Sequence, residues 1–214
     1  MATVLVSYDG TDNDRDGLAL ARVLAQAGAS LELAYVRHSA TDDTEAQALL
    51  DAGVSALREG DVPTHVVLAG STPEGLRELA LERDATLIVF GSEYRTAKGH
   101  VDPQKSARRL IEGGPIAVAL APAGFHADRA FQVETVGAVG EDGDPCVLET
   151  AETLASRLGG VVAPRATKKV DLLVVGSKPG TVTGRVTISA AAEYLIELAS
   201  CPVVILPRGI ALAF

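Results

Sequence analysis

The stretch LIVFGSEYRTAKGHVDPQKSARRLIEGGPIAVALAP, residues 87–122, contains one complete structural unit. Its apolar opening stops at Gly91-Ser92, the pattern of a strand buried on both faces. A polar loop follows. Asp102-Pro103 then opens the helix-like DPQKSARRLIEGG, since Asp caps a helix N-terminus and Pro suits its first turn. PIAVALAP closes the unit as a second apolar strand. A strand, a helix and a strand in that order make the repeating unit of a parallel sheet. The loop between strand and helix sits where such sheets hold phosphate, yet it has few glycines and many side chains.

Upstream, the same alternation recurs. TVLVSYDG is a strand ending in a turn at Asp9-Gly10. The helix after it has Leu18, Leu20, Ala21 and Leu24 near helical spacing and ends at Gly28. SLELAYV is a strand, and DTEAQALLDAGVSALREG is a helix with Gly60 just past its end. THVVLAG is a strand, and STPEGLRELALERD is a helix with a hydroxyl cap and Pro73 in its first turn. Five strands alternate with four helices, so the fold class is α/β with a doubly wound parallel sheet.

Downstream, the unit returns. VDLLVVGS echoes ATLIVFGS, and CPVVILPRG echoes IAVALAPAG. Gly91 matches Gly176 and Pro122 matches Pro207, both at an offset of 85. Further upstream VLAQAGASL matches LASRLGGVV at an offset of about 131. The difference corresponds to the stretch from about Arg37 to Asp84, which holds a helix, a strand and a helix. The second half therefore reads as strand-helix-strand-strand-helix-strand with that middle deleted. Residues 1–122 and 133–208 form two tandem units, the second shortened, joined by a linker near 123–132. A four-stranded half with fewer helices exposes apolar surface, which must be covered by the first half or by a second chain.

Composition narrows the function classes. The chain has 214 residues, 47% hydrophobic and 22% charged, which suits a globular protein. The net charge of -9 and the absence of Trp argue against a nucleic-acid surface. MATVLVSYDG lacks the pattern of a signal peptide, and no apolar run is long enough to span a membrane. Cys146 and Cys201 have no metal-ligand spacing, and neither do His38, His65, His100 and His126. A cytoplasmic setting is the simplest expectation.

The repeat, the strand VLVSYDG, and GS followed by a loop, a helix and CPVVILP resemble the universal stress protein family. The resemblance implies a five-stranded parallel sheet in the order 3-2-1-4-5 and domains that pair through their last strands. It also implies a phosphate motif in the ATP-binding branch: glycine, two residues, glycine, nine residues, glycine, then Ser or Thr. Counted from Gly91, the later positions hold Tyr94, Gln104 and Lys105. Counted from Gly176, they hold Pro179, Ser189 and Ala190. Each half keeps only its first glycine. The acidic residue that contacts the nucleoside corresponds to Asp9 in the first half. In the second half it falls at about Gly140, beside Glu141 and Asp142. Val36 matches the position whose backbone faces adenine.

The candidate site residues are thus Asp9, Val36, Gly91, Ser92, Gly176, Ser177 and Ser189. Asp9 has a second reading, because Asp in DGTD also bonds its own nearby backbone to start a turn. Arg95, Lys98, His100, Lys105, Arg108 and Arg109 make the first loop basic and could replace backbone donors as anion ligands. Against this, Asp102 as the helix N-cap would place a carboxylate where phosphate should sit. A helix N-terminus can lower the Cys146 thiol pKa, although no basic partner lies nearby in sequence. No arrangement of catalytic side chains is legible.

The expected role is a non-catalytic, stress-related binding or regulatory module, needing no cofactor and acting through a protein partner. The alternatives are ATP or AMP binding and slow nucleotide hydrolysis. The last strands, Ile116–Ala121 and Val203–Leu206, are short, apolar and uncharged. They are expected to join the two halves, or two chains as a dimer.

Overall fold

The computed structural model describes residues 1–39, 43–57, 60–128, 130–163 and 169–214. The first half runs β1 (Thr3–Ser7), α1 (Asp14–Gln26), β2 (Ser30–Arg37), α2 (Asp43–Leu57), β3 (Thr64–Leu68), α3 (Thr72–Glu82), β4 (Leu87–Gly91), α4 (Lys105–Ile111) and β5 (Ala117–Ala121). The second half runs β6 (Thr135–Val139), α5 (Pro145–Leu158), β7 (Val161–Val162), β8 (Leu172–Val175), α6 (Ala190–Leu198) and β9 (Val203–Ile205).

Among the described residues these strands form one nine-stranded sheet in the order β3-β2-β1-β4-β5-β9-β8-β6-β7. The first half has the order 3-2-1-4-5, and the second repeats it without a counterpart of β3. All pairings are parallel except β5 with β9, where Val118 faces Ile205 and Leu120 faces Val203. β5 also pairs with β4 and β9 also with β8, so neither last strand has a free edge. The open edges are β3 and the two-residue β7.

Side chains alternate across the sheet, and helices bury both faces. Val4, Val6, Leu87, Val89 and Val204 meet the layer of α1, α2 and α5. Leu5, Ile88, Phe90, Val118 and Ile205 meet the layer of α3, α4 and α6. The segment after 208 belongs to this core. Leu212 and Phe214 are buried, and the Leu212 N–H donates to Thr150 Oγ1 at 3.0 Å. Gly28, at φ +105°, lets the Phe214 backbone approach, since a Cβ there would lie 3.3 Å from the Phe214 carbonyl carbon.

Local details differ from expectation at the starts of two helices. α4 begins at Lys105 behind Gln104, so Asp102 is not its N-cap. The Asp102 carboxylate instead pairs with Arg108 at 2.7 Å. Ser71 stands at the N-cap of α3 but makes no side-chain cap bond. The expected tail of α2 at residues 58–59 lies outside the described residues, as does Arg129 in the linker. The rest of that linker is anchored: a short turn at Phe125–Ala127 is held by the buried Asp16. Asp16 accepts from the Gly124 and His126 N–H groups, each at 2.8 Å, and pairs with the His126 ring at 2.7 Å.

Candidate functional site

The C-terminal ends of β1 and β4 lie side by side, with Val6 opposite Val89. Helices leave these strands toward opposite faces, which makes this a switch point where doubly wound folds bind ligands. Ser92 follows β4 and is fully buried. Its hydroxyl donates to the Ala121 carbonyl at 2.7 Å and accepts from the Asp102 N–H at 3.3 Å. Other loop amides turn inward too. Glu93 N–H donates to the Asp102 carbonyl (2.9 Å), Thr96 N–H to Glu93 (2.9 Å) and Gly99 N–H to Ala123 (2.8 Å).

The second half repeats this network at the same offset of 85. Ser177 Oγ donates to the Leu206 carbonyl at 2.7 Å and accepts from the Thr187 N–H at 3.1 Å. Lys178 N–H donates to Thr187 (2.8 Å), Thr181 N–H to Lys178 (3.3 Å) and Gly184 N–H to Arg208 (2.8 Å). The repeat visible in the sequence is therefore a repeat of individual hydrogen bonds. Both loops are fastened to the end of the last strand, and the N–H groups of Glu93, Thr96 and Gly99, like those of Lys178, Thr181 and Gly184, are already used within the chain.

Gly91 has a packing reason to be glycine. A Cβ there would lie 1.9 Å from the Asn13 carbonyl oxygen, so the glycine lets β4 end against the start of α1. At Gly176 a Cβ would lie 2.5 Å from the Val147 side chain of α5. Val36 is 7% exposed, and its backbone pairs with Val67 of β3. Ser189 caps α6 by accepting from the Ala192 N–H at 3.1 Å, and its hydroxyl donates to Glu141. Asp142, the other acid near Gly140, pairs with Arg208 at 3.2 Å.

Asp9 is exposed, and its Oδ1 accepts from the Thr11 N–H at 3.1 Å, the local turn bond its sequence context suggested. Beneath it lies a carboxylate that the sequence reading misses. Asp14, 5% exposed, accepts from the backbone N–H groups of Asp9 and Gly10. Burial, then the Asp9 charge, push its pKa from the ordinary 3.8 up to about 8, against the opposing pull of those two bonds. The folded state therefore holds this proton more tightly than the unfolded chain. Its stabilising effect is full below the ordinary value and is lost as pH rises toward 8. Melting temperatures at pH 5, 6.5 and 8 should fall more steeply for the parent than for Asp14→Asn. Parallel profiles would exclude Asp14 as the source.

The cations of the first loop point to different places. The Arg95 guanidinium lies 4.9 Å from the Tyr94 ring centre, and Lys98 runs alongside Gly124. Arg108 is held by Asp102 and Glu193 and lines a cavity of about 220 Å³ between α4 and α6. Arg109 lines a different cavity, of about 290 Å³, with Arg77 and Arg185. Neither cavity is lined by Asp9, Val36, Gly91 or Gly176. Among the described residues no group of three or more His, Cys, Asp and Glu could hold a metal ion. Burial, then the Asp144 charge, raise the Cys146 thiol, and burial, then Asp171, push Cys201 up to about 12. Neither is a thiolate near neutral pH. No helix of the described residues is long and apolar enough to cross a membrane.

No family model matches the sequence, and no curated protein matches it. Solved structures do. A universal stress protein from Archaeoglobus fulgidus superposes with a TM-score of 0.73 at 13% identity, over 97% of this chain and 98% of its own. A functionally unknown protein from Pseudomonas aeruginosa PAO1 gives 0.71 at 13% identity, over 98% of this chain and 93% of its own. The chain has the universal stress protein fold. A universal stress protein in complex with cAMP matches 42% of this chain at 26% identity with a TM-score of 0.38, too partial a likeness to bear on ligands. Within this fold, Tyr94 and Gln104 are the residues that counting from Gly91 sets against the motif's second and third glycines. The Tyr94 side chain is 68% exposed, and Gln104 Nε2 donates to the Gly91 carbonyl at 3.1 Å.

Proposed function

We propose that this chain is a tandem member of the universal stress protein family that serves as a non-catalytic, stress-related binding or regulatory module. The observation that carries this reading is the closure of both phosphate loops by their own atoms. Ser92 and Ser177 each donate to the last strand of their half and accept from their own loop. Ser189, the hydroxyl nearest to a phosphate ligand by motif count, is occupied as a cap and by Glu141. Opening a loop for phosphate would break several of these bonds, each worth about 1 kcal/mol net, before any contact is gained. The Cβ atoms at Tyr94 and Gln104 further limit close backbone approach.

Calorimetry with ATP and magnesium tests the proposal. No binding tighter than roughly 10 µM, or about -7 kcal/mol, is expected. Mass spectrometry of the purified protein should find no nucleotide carried along, and phosphate release from ATP should not exceed the blank. A sub-micromolar constant, or a retained nucleotide, would establish the ATP- or AMP-binding reading instead.

A further inference from the structure

We propose that the groove between α3 and α4 is a binding site for a small phosphate-bearing anion, completed by an arginine from the second half. None of the candidate nucleotide residues lines it. The site therefore stands whether or not the loops hold nucleotide. Arg77 of α3, Arg109 of α4 and Arg185 of the loop before α6 line one cavity of about 290 Å³. All three are exposed, so a ligand reaches them from solvent. Among the described residues none of the three forms an ion pair. Arg83, Arg108 and Arg208, by contrast, each hold a carboxylate, at 3.0, 2.7 and 3.2 Å. Three uncompensated guanidinium groups on one cavity are unusual in a chain of net charge -9.

The fold fixes where these cations stand. α3 packs beside α4. Gly113 N–H donates to the Val186 carbonyl at 2.7 Å, and Val186 N–H donates to the Gly114 carbonyl at 2.8 Å. This pair of bonds ties the end of α4 to the second half and brings Arg185 to the cavity. Arg185 Nη1 donates to the Gly113 carbonyl at 3.3 Å, which leaves its other donors for a ligand. Ser71 lines the cavity too, and its hydroxyl makes no cap bond to α3. Two carboxylates share the lining. Glu74 turns back toward Gly70, where an added Cβ would lie 3.2 Å from its Oε2, and Glu112 also borders the cavity between α4 and α6. Three guanidinium groups outweigh them. A guanidinium fork matches an oxyanion edge. A carboxylate offers two oxygens in one plane, whereas a phosphoryl group offers three, enough for forks that arrive from three elements. The cavity is near the low end of small-molecule sites, roughly 300–1,000 Å³, which suits a short anion. It has no twin in the second half. At the offset of 85, Arg109 corresponds to Tyr194 and Arg185 to His100, and α3 has no counterpart among the described residues.

Calorimetry of the full chain with inorganic pyrophosphate, without magnesium and at about 50 mM salt, should show one-to-one binding with a constant of roughly 10–500 µM. Added salt should weaken it, because the site is open to solvent. Arg77→Gln, Arg109→Gln and Arg185→Gln should each weaken it at least about fivefold and keep the melt of the parent, since no ion pair is lost. If Arg185→Gln lowers the melting temperature through its bond to Gly113, the two helix-surface variants carry the test. Glu112→Gln should tighten binding. Arg15→Gln, which removes an exposed cation elsewhere, should bind as the parent does. Inorganic phosphate in parallel separates a single phosphoryl group from a phosphoanhydride, and either one bound here supports the proposal. Citrate should bind at least about tenfold more weakly than pyrophosphate. No heat at about 1 mM of either phosphate probe overturns the proposal. So does an equal loss on Arg15→Gln, a weakening by Glu112→Gln, or citrate bound as tightly as pyrophosphate.

Discussion

Val204→Lys is expected to leave no folded protein. Val204 lies in β9, paired on one side with Ala119 and on the other with Val174. Its side chain is fully buried in the core shared by α1, α2 and α5. An unpaired ammonium there costs several kcal/mol and has no route to water from mid-sheet. That cost is comparable to the whole stability of a typical domain, about 5–15 kcal/mol. Val118→Lys should fail in the same way from the opposite face, where Val118 is equally buried. Val161→Lys is the control, because Val161 sits in the edge strand β7 and is 64% exposed. Circular dichroism and the soluble yield decide the matter. A folded Val204→Lys protein melting within a few degrees of the parent would show that β9 is not buried at the centre of the sheet. The contact between the last strands is made by backbone bonds within the sheet. A charge here therefore unfolds the chain and does not simply separate one surface from another.

The fragment 130–214 should not fold by itself. Cutting it free bares the edge of β9 that pairs with β5, along Val203, Val204 and Ile205. It also removes the bed that Phe214 finds beside Gly28. What remains is a four-stranded sheet with a two-residue edge strand and one helix on each face. So small a layer buries too little to offset its chain entropy. Gel filtration and thermal melting should show an aggregated or loosely structured species. A monomeric fragment with a sharp cooperative melt contradicts this.

The periodic features are legible in the sequence. Apolar runs bounded by glycine place the strands, and the offset of 85 between Gly91 and Gly176 anticipates two loops closed by equivalent bonds. Local reading fails where one residue has several partners to choose from. Asp102 looks like a helix cap, but its N–H goes to Ser92 and its carboxylate to Arg108, so the helix starts two residues later. The hold of Asp16 on the loop after β5 spans more than a hundred residues, beyond any local pattern. A trace of it is present, because Asp16 stands four residues before Leu20, on the apolar face of α1. Asp14 escapes notice because its significance comes from burial under the Asp9 turn, which composition does not report. Leu110 and Leu195 occupy equivalent positions of the repeat, yet Leu110 is buried and Leu195 is 37% exposed, a difference that the sequence pattern does not report. IALAF at 210–214 belongs to no repeat, yet so apolar a run is itself a sign of burial, and Leu212 and Phe214 are buried.

The antiparallel pairing at the middle of the sheet also sets an order of events. Leu120 and Val203, which meet there, stand 83 positions apart. Closing so long a loop is entropically slower than forming the local units on either side of it. On the ribosome, β5 is made well before β9 exists. At 5–20 residues per second the wait is roughly 4–17 s, during which the edge of Ala117–Ala121 has no partner strand. An apolar, uncharged edge is most open to wrong pairing in that interval. The centre of the finished sheet is thus the last region to be completed, and the interval before β9 is made is when the chain is most exposed to aggregation.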